Sequence, residues 1–212
     1  MYMIVMMCDK WHYINAQEHI NVFDGDEMHC VLLGCIGESR ADASLLYRIM
    51  ETDEALFLYI QSDTPFPPDS LSRYGFFPEC EVNVDMQVDG FSVGSMFSFN
   101  LLTVPTKVDA GSGKRVYLTS ETEIKNWFLK KAVRGGFSSE DGMCRIEKKS
   151  VMRFSRRKKD GKTGETKTKT VTAPCVVISG YGIVEDRELF EKTVRFGFGK
   201  LKNFGAGLLL IQ

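Results

Sequence analysis

Three sets of residues in this 212-residue chain could do chemistry: a few histidines, a dense run of cations, and a glycine-rich turn that carries lysines. The histidines are His12, His19 and His29. An imidazole titrates near neutrality, so it can take a proton from a hydroxyl or hand one to a leaving oxygen. His12 and His19 stand in WHYINAQEHINVF, read as an irregular segment, where an ordinary surface role outweighs a catalytic one. His29 directly follows Met28 in an apolar stripe of Met28, Val31, Leu32, Cys35 and Ile36. At ~100° per residue it falls about 90° from the centre of that stripe, at the rim of a helix. Such a residue is held by the fold and open to a ligand, although helix geometry alone favours an ordinary boundary histidine.

Between Lys148 and Thr170 there are ten Lys or Arg against the two acids Asp160 and Glu165, a net of 10 − 2 = +8. The cations include Arg153, Arg156, Arg157, Lys158, Lys159 and Lys162. On a β-hairpin they would project from one narrow finger, and each phosphate they neutralise would release condensed counterions. A solvated loop is the competing reading. The third set is GFGKLKNFGAGLL, in which Gly197, Gly199, Gly205 and Gly207 flank Lys200 and Lys202. Glycines let a backbone approach a phosphate closely and present N–H groups to it. The turn leads into a strand, so it fits neither the Walker pattern nor the strand-loop-helix of a dinucleotide site.

The elements that must position these residues follow from patterning. Tyr2 to Met7, Leu45 to Met50 and Ala55 to Ile60 read as strands, the last two joined by Glu51 to Glu54. A helix opens at Asp24 and Asp26 and carries His29. The Pro-rich 65–79 segment is expected to hold a short helix, and Glu81 to Val88 a strand, which completes β-α-β-β-α-β, the ferredoxin-like plan. A second α+β unit begins near Met96, with the boundary near 90–95. Its helix opens on the capping box Ser120 to Glu123 and ends at Gly135-Gly136. Strands at about 143–156 and 167–184, a helix from Asp186 to about Phe196 and a final strand from Leu208 to Gln212 follow. The expected units are residues 1–92, with the histidine, and 93–212, with the hairpin and the glycine turn.

Charge separates the same halves. Residues 1–110 hold 5 cations and 17 acids, 5 − 17 = −12, and residues 111–212 hold 22 and 11, 22 − 11 = +11. The near-neutral total hides a second half suited to a polyanion. Six cysteines without a CxxC pair argue for buried free thiols rather than a zinc site or disulfides. No stretch reaches the ~20 apolar residues of a membrane span, and the first ten residues lack a basic leader, so a cytoplasmic protein without membrane contact is expected.

The run FGFGKLKNFGAGLLLIQ resembles the C-terminal glycine-rich motif of the CRISPR RNA-processing endoribonucleases, with Lys202 on the family's lysine. GKRVYLTSETEIKNWFLKKAVRGGF, FSRRKKDGKTGE and DEMHCVL ahead of LLYRIM are similar to the CasE branch that belongs to the type I-E Cascade complex. The resemblance covers most of residues 96–212 and, more loosely, 24–50. It implies two tandem ferredoxin-like (RRM-like) domains. It further implies binding of the CRISPR repeat stem-loop, with Lys114, Arg115 and Lys200 joining the finger cations. Cleavage of precursor CRISPR RNA would fall at the 3′ base of the stem, by attack of the ribose 2′-oxygen, leaving a 2′,3′-cyclic phosphate. Neither metal nor cofactor is expected, product would stay bound, and the other Cascade subunits would be partners. The family's catalytic histidine falls on His29. Asp26 stands where some relatives carry tyrosine, and could orient the imidazole, while Cys30 replaces a basic residue. Lys202, Lys200 or a finger arginine could stabilise the phosphorane. An inactive hairpin-binding subunit of the same complex is the alternative. An RRM-type single-strand binder is less well supported, since no aromatic RNP pattern is present.

Overall fold

The computed structural model describes residues 1–37, 44–159 and 166–212. Strand β1 (Tyr2–Asp9) runs into a short helix α1 (Lys10–Ile14), so His12 is helical rather than irregular. Helix α2 (Gly25–Ile36) starts at Asp24, whose carboxylate accepts the backbone N–H of Asp26 and Glu27, and stops at Gly37 in the left-handed conformation. Strands β2 (Leu46–Glu51), β3 (Ala55–Ser62) and β4 (Phe77–Asn83) complete a sheet of order β2-β3-β1-β4. Its pairings are all antiparallel, which is the ferredoxin-like arrangement.

One local expectation is met only as a single 3-10 turn, and another fails. The Pro-rich segment yields only a 3-10 turn at Ser72–Tyr74, because prolines at 65, 67 and 68 supply no backbone donors for an α-helix. The strand expected over 81–88 ends at Asn83, whose side chain accepts from the N–H groups of Asp85 and Met86 and starts helix α3 (Val84–Asp89). A side-chain cap has overridden the alternating pattern. Val84 and Val88 then pack into the core of the second unit rather than the first.

That second unit comprises β5 (Met96–Thr103), the small hairpin β6 (Thr106–Val108) and β7 (Arg115–Tyr117), α4 (Glu121–Arg134), β8 (Phe137–Ser138), β9 (Cys144–Lys159), β10 (Thr166–Val184), α5 (Arg187–Phe196) and β11 (Leu209–Ile211). The sheet runs β11-β5-β10-β8, with β9 also on β10, so the chain holds two ferredoxin-like folds in tandem. Phe97, Phe99, Phe128, Phe137, Phe190 and Phe198 fill its core. The capping box does not form: the Ser120 side chain makes no cap hydrogen bond, and Glu123 is drawn instead to Lys107 at 2.7 Å.

The units are braced across their boundary. Gln61 on β3 donates to the Val194 carbonyl of α5 at 2.9 Å, and Arg195 reaches Asp85 at 2.7 Å. All six cysteines are free, but Cys30 and Cys80 are exposed, contrary to the expectation of buried thiols. Among the described residues no helix is long and apolar enough to cross a membrane.

Candidate nucleic-acid interface

Helix α2 is buried on two sides. Met28 and Leu32 enter the core of the first unit. Gly25 faces the other way, so close to the 3-10 turn Lys202–Phe204 that a Cβ on it would lie 2.7 Å from the Phe204 Cβ. His29 stands four residues after Gly25, on the same face of the helix. It is only 6% exposed. The rim position expected from a single apolar stripe is therefore corrected: the second unit closes over that rim. The stripe reports one packing partner, and α2 has two.

Strand β9 supplies the other wall. The Oδ2 atom of Asp24 accepts from Ser155 Oγ at 3.0 Å while its Oδ1 caps the helix, and Asp24 bridges the backbone at Arg153. Phe154 stacks on Phe204, with ring centroids 4.2 Å apart and planes 12° from parallel. One carboxylate thus ties the start of α2, and one aromatic pair ties the glycine-rich turn, to the root of the β9–β10 hairpin. Asp26 lies half-buried in the first turn of α2, three residues ahead of His29. Replacing Gly25 by alanine is expected to push α2 from the turn. Thermal unfolding, followed by calorimetry, should then begin at a lower temperature with the curve still cooperative.

The finger exists as a ladder. Backbone pairing extends to Lys159 opposite Thr166 and sets Lys169 opposite Arg156 and Lys167 opposite Lys158. Arg153 is exposed at the root, and Lys162 lies outside the described residues.

Most of the backbone donors of the glycine-rich turn are spent inside the protein. The Gly197 N–H donates to the Thr193 carbonyl, Gly205 to Lys202 and Gly207 to Leu102, so three of the four glycine donors are used within the protein. Gly207, at φ 87°, lies where a Cβ would meet the Phe198 carbonyl oxygen at 2.6 Å. This glycine is a packing requirement. Leu201 is held at φ 59°, an uncommon conformation for a branched side chain, and it opens the turn that presents Lys202. Lys202 donates to the Phe196 carbonyl at 2.5 Å and so closes the C-terminus of α5. Burial, then the neighbouring Lys200, lower the pKa of its ammonium.

Sequence reasoning missed two members of the basic surface, Lys131 and Arg134 in the last turn of α4. The Lys131 ammonium lies 5.6 Å from the Phe198 ring centroid. Burial lowers its pKa, and so do Lys200, Arg134, Lys202 and Arg115. Helix α4, hairpin β6–β7 and the glycine-rich turn therefore bring cations from three distant segments together. The Arg115 guanidinium is steadied by a 3.0 Å bond to Thr106 Oγ1, while Lys114 lies exposed at the tip of the same hairpin. The α4 lysines were legible only as the polar side of an amphipathic helix.

Two ferredoxin-like folds in tandem, with cations gathered around the turn that joins their faces, define an α+β protein built to meet a polyanion. The family model described as CRISPR associated protein matches residues 1–212, and the chain belongs to that family. Over 122 residues it is 33% identical to the CRISPR-associated endoribonuclease Cse3 of Thermus thermophilus; the match spans 56% of this chain and 56% of that relative's length. Its fold is similar to that of a CRISPR endoribonuclease Cse3 bound to 19 nt RNA, with a TM-score of 0.79, 23% identity and all of both chains covered. A chain of a CRISPR RNA-guided surveillance complex gives 0.69 at 19% identity, with 100% of this chain and 99% of that one covered.

Proposed function

We propose that this protein is a metal-independent endoribonuclease that binds the CRISPR repeat stem-loop and cuts precursor CRISPR RNA at the 3′ base of the stem. The observation that carries the reading is a convergence. The face of α2 bearing His29, the root of the cationic hairpin and the lysine-bearing turn meet at one junction. The hairpin grips the stem through phosphates, since the major groove of A-form RNA is too deep and narrow for side chains to read. His29 then takes the proton of the 2′-hydroxyl or delivers one to the leaving 5′-oxygen, leaving a 2′,3′-cyclic phosphate. Asp26 orients that helix face. Lys202 holds the turn so that Lys200 and its basic neighbours bear on the phosphorane.

Membership of a Cascade-type complex follows from the same kinship and from charge. The acidic first half is unsuited to an RNA backbone and is left for protein partners. Retention of the product suits a subunit of such a complex.

Burial of His29 and the aspartate at position 26 favour a second reading, a hairpin-binding subunit without catalysis. Incubation of the protein in EDTA with an all-ribose repeat hairpin, and with one carrying a single 2′-deoxy before the cut, separates them. Cleavage of the all-ribose RNA alone is the expected result. Tight binding of both RNAs with neither cut would establish the second reading.

A further inference from the structure

A cleft of about 470 Å³ opens between the two sheets, beginning at the junction of α2 with the glycine-rich turn and running along the outer edge of β2. Phe23, Arg48 and Met50 line one side, Asn100, Glu147 and Val177 the other. No step of the proposed cleavage uses it. Arg48 is 3% exposed, yet its Nε and Nη1 have no hydrogen-bond partner among the described residues. Burial pulls its pKa down to about 10, with only Tyr59 and Glu147 opposing the shift. A guanidinium so placed weakens the empty fold, because its desolvation is not offset.

The opposite wall has one unmet acceptor to match. Asn100 Oδ1 is buried without a partner among the described residues, while its Nδ2 approaches Glu147 Oε2 at 3.5 Å. The other oxygen of Glu147 is engaged by Ser179 at 2.5 Å and Arg145 at 3.1 Å. The cleft thus offers two donors from Arg48 and acceptors from Asn100 and Glu147. A bare oxyanion would satisfy Arg48 but leave Asn100 Oδ1 orphaned and lie near a carboxylate. The fitting ligand carries an acceptor pair and donors on one flat body. Guanine does: its O6 and N7 accept from guanidinium N–H groups, and its N1–H and exocyclic amine donate. Phe23, at the mouth and 52% exposed, offers a ring to stack upon. The volume suits a nucleotide.

We infer that the interdomain cleft is a guanine-binding site in which Arg48 reads the acceptor edge of the base and Asn100 with Glu147 the donor edge. The inference rests on Arg48, Asn100 and Glu147, which the cleavage reading does not use; the cleft itself reaches the His29 junction at Gly25, Phe204 and Gly205. An unpaired guanine beside the repeat stem and a free guanine nucleotide share this chemistry.

The test is calorimetric titration of the full chain with GMP, AMP, CMP and inorganic phosphate, with the melting temperature of each variant. GMP is expected to saturate one site, with the other three at least tenfold weaker. Arg48→Met should abolish GMP binding and raise the melting temperature of the free protein by about 2–4 °C. Asn100→Leu should weaken GMP while sparing phosphate, and His29→Gln should leave GMP binding unchanged. Equal binding of phosphate or AMP would overturn the base assignment. A lower melting temperature in Arg48→Met, with no GMP binding by the unaltered chain, would make Arg48 a structural residue and overturn the site. Replacing single-stranded guanines beside the repeat hairpin by adenine distinguishes the sources: a loss of RNA affinity assigns the site to RNA, unchanged affinity with GMP bound assigns it to the free nucleotide.

Discussion

Replacing His29 by glutamine is expected to lower single-turnover cleavage of the repeat hairpin by about 10²–10⁴-fold, the usual contribution of a positioned proton-transfer group. Hairpin affinity should stay within about twofold. The two effects separate because His29 sits on α2, at the junction, whereas the cations proposed to meet phosphate are carried by β9, β10, α4 and the glycine-rich turn. Rapid mixing of excess protein with labelled hairpin measures the first quantity, and filter binding the second. Loss of binding together with cutting would show that His29 braces the junction rather than moves a proton. The unaltered protein has a further requirement. With His29 only 6% exposed, the proposed mechanism requires α2 to part from the hairpin root before a 2′-hydroxyl can reach the imidazole. Tightening that contact should therefore slow cutting without weakening the grip on the stem.

How much of this was legible in the sequence depended on whether one element answered to one partner. The strands β1, β2 and β3 and the long hairpin each have a single dominant pattern, and the structure places them where that pattern puts them. Where two demands compete, the sequence misleads. Asn83 satisfies backbone donors and turns an alternating run into α3. Glu123 serves Lys107 instead of the Ser120 cap. His29 lies on a face that a second unit covers, which no stripe within α2 can announce. The glycine-rich turn is recognisable by composition, yet its donors are taken by the Thr193, Lys202 and Leu102 carbonyls. Arg48 was invisible, because in sequence it is one cation in a strand. Its meaning comes from burial opposite Asn100 and Glu147, residues far along the chain.

Neutralising Arg115, Lys131 and Lys200 together, each to glutamine, is expected to cost about 10²–10³ in hairpin affinity and to reduce the salt slope of log K by about 2–3, close to one unit for each phosphate left without its cation. These cations come from β7, α4 and the glycine-rich turn, and their convergence is visible in the way the other cations lower the pKa of Lys131. Among the described residues Arg115 is held by a neutral hydroxyl and Lys131 by a ring face, and neither forms an ion pair that offsets the repulsion. A polyanion does offset it. The phosphates should raise Lys131 and Lys202 toward the ordinary lysine range, so binding takes up protons and affinity falls as pH rises through the alkaline range where the free lysines lose charge. The triple variant should lose part of that pH dependence along with the salt slope. Filter binding between about 50 and about 300 mM salt at two pH values tests both at once. If the salt slope of the triple variant matches that of the unaltered protein, the stem does not pass over α4 and the grip lies in the hairpin alone. If both slopes shrink, RNA lies across the junction from the finger to the turn, with the helix face bearing His29 beneath it.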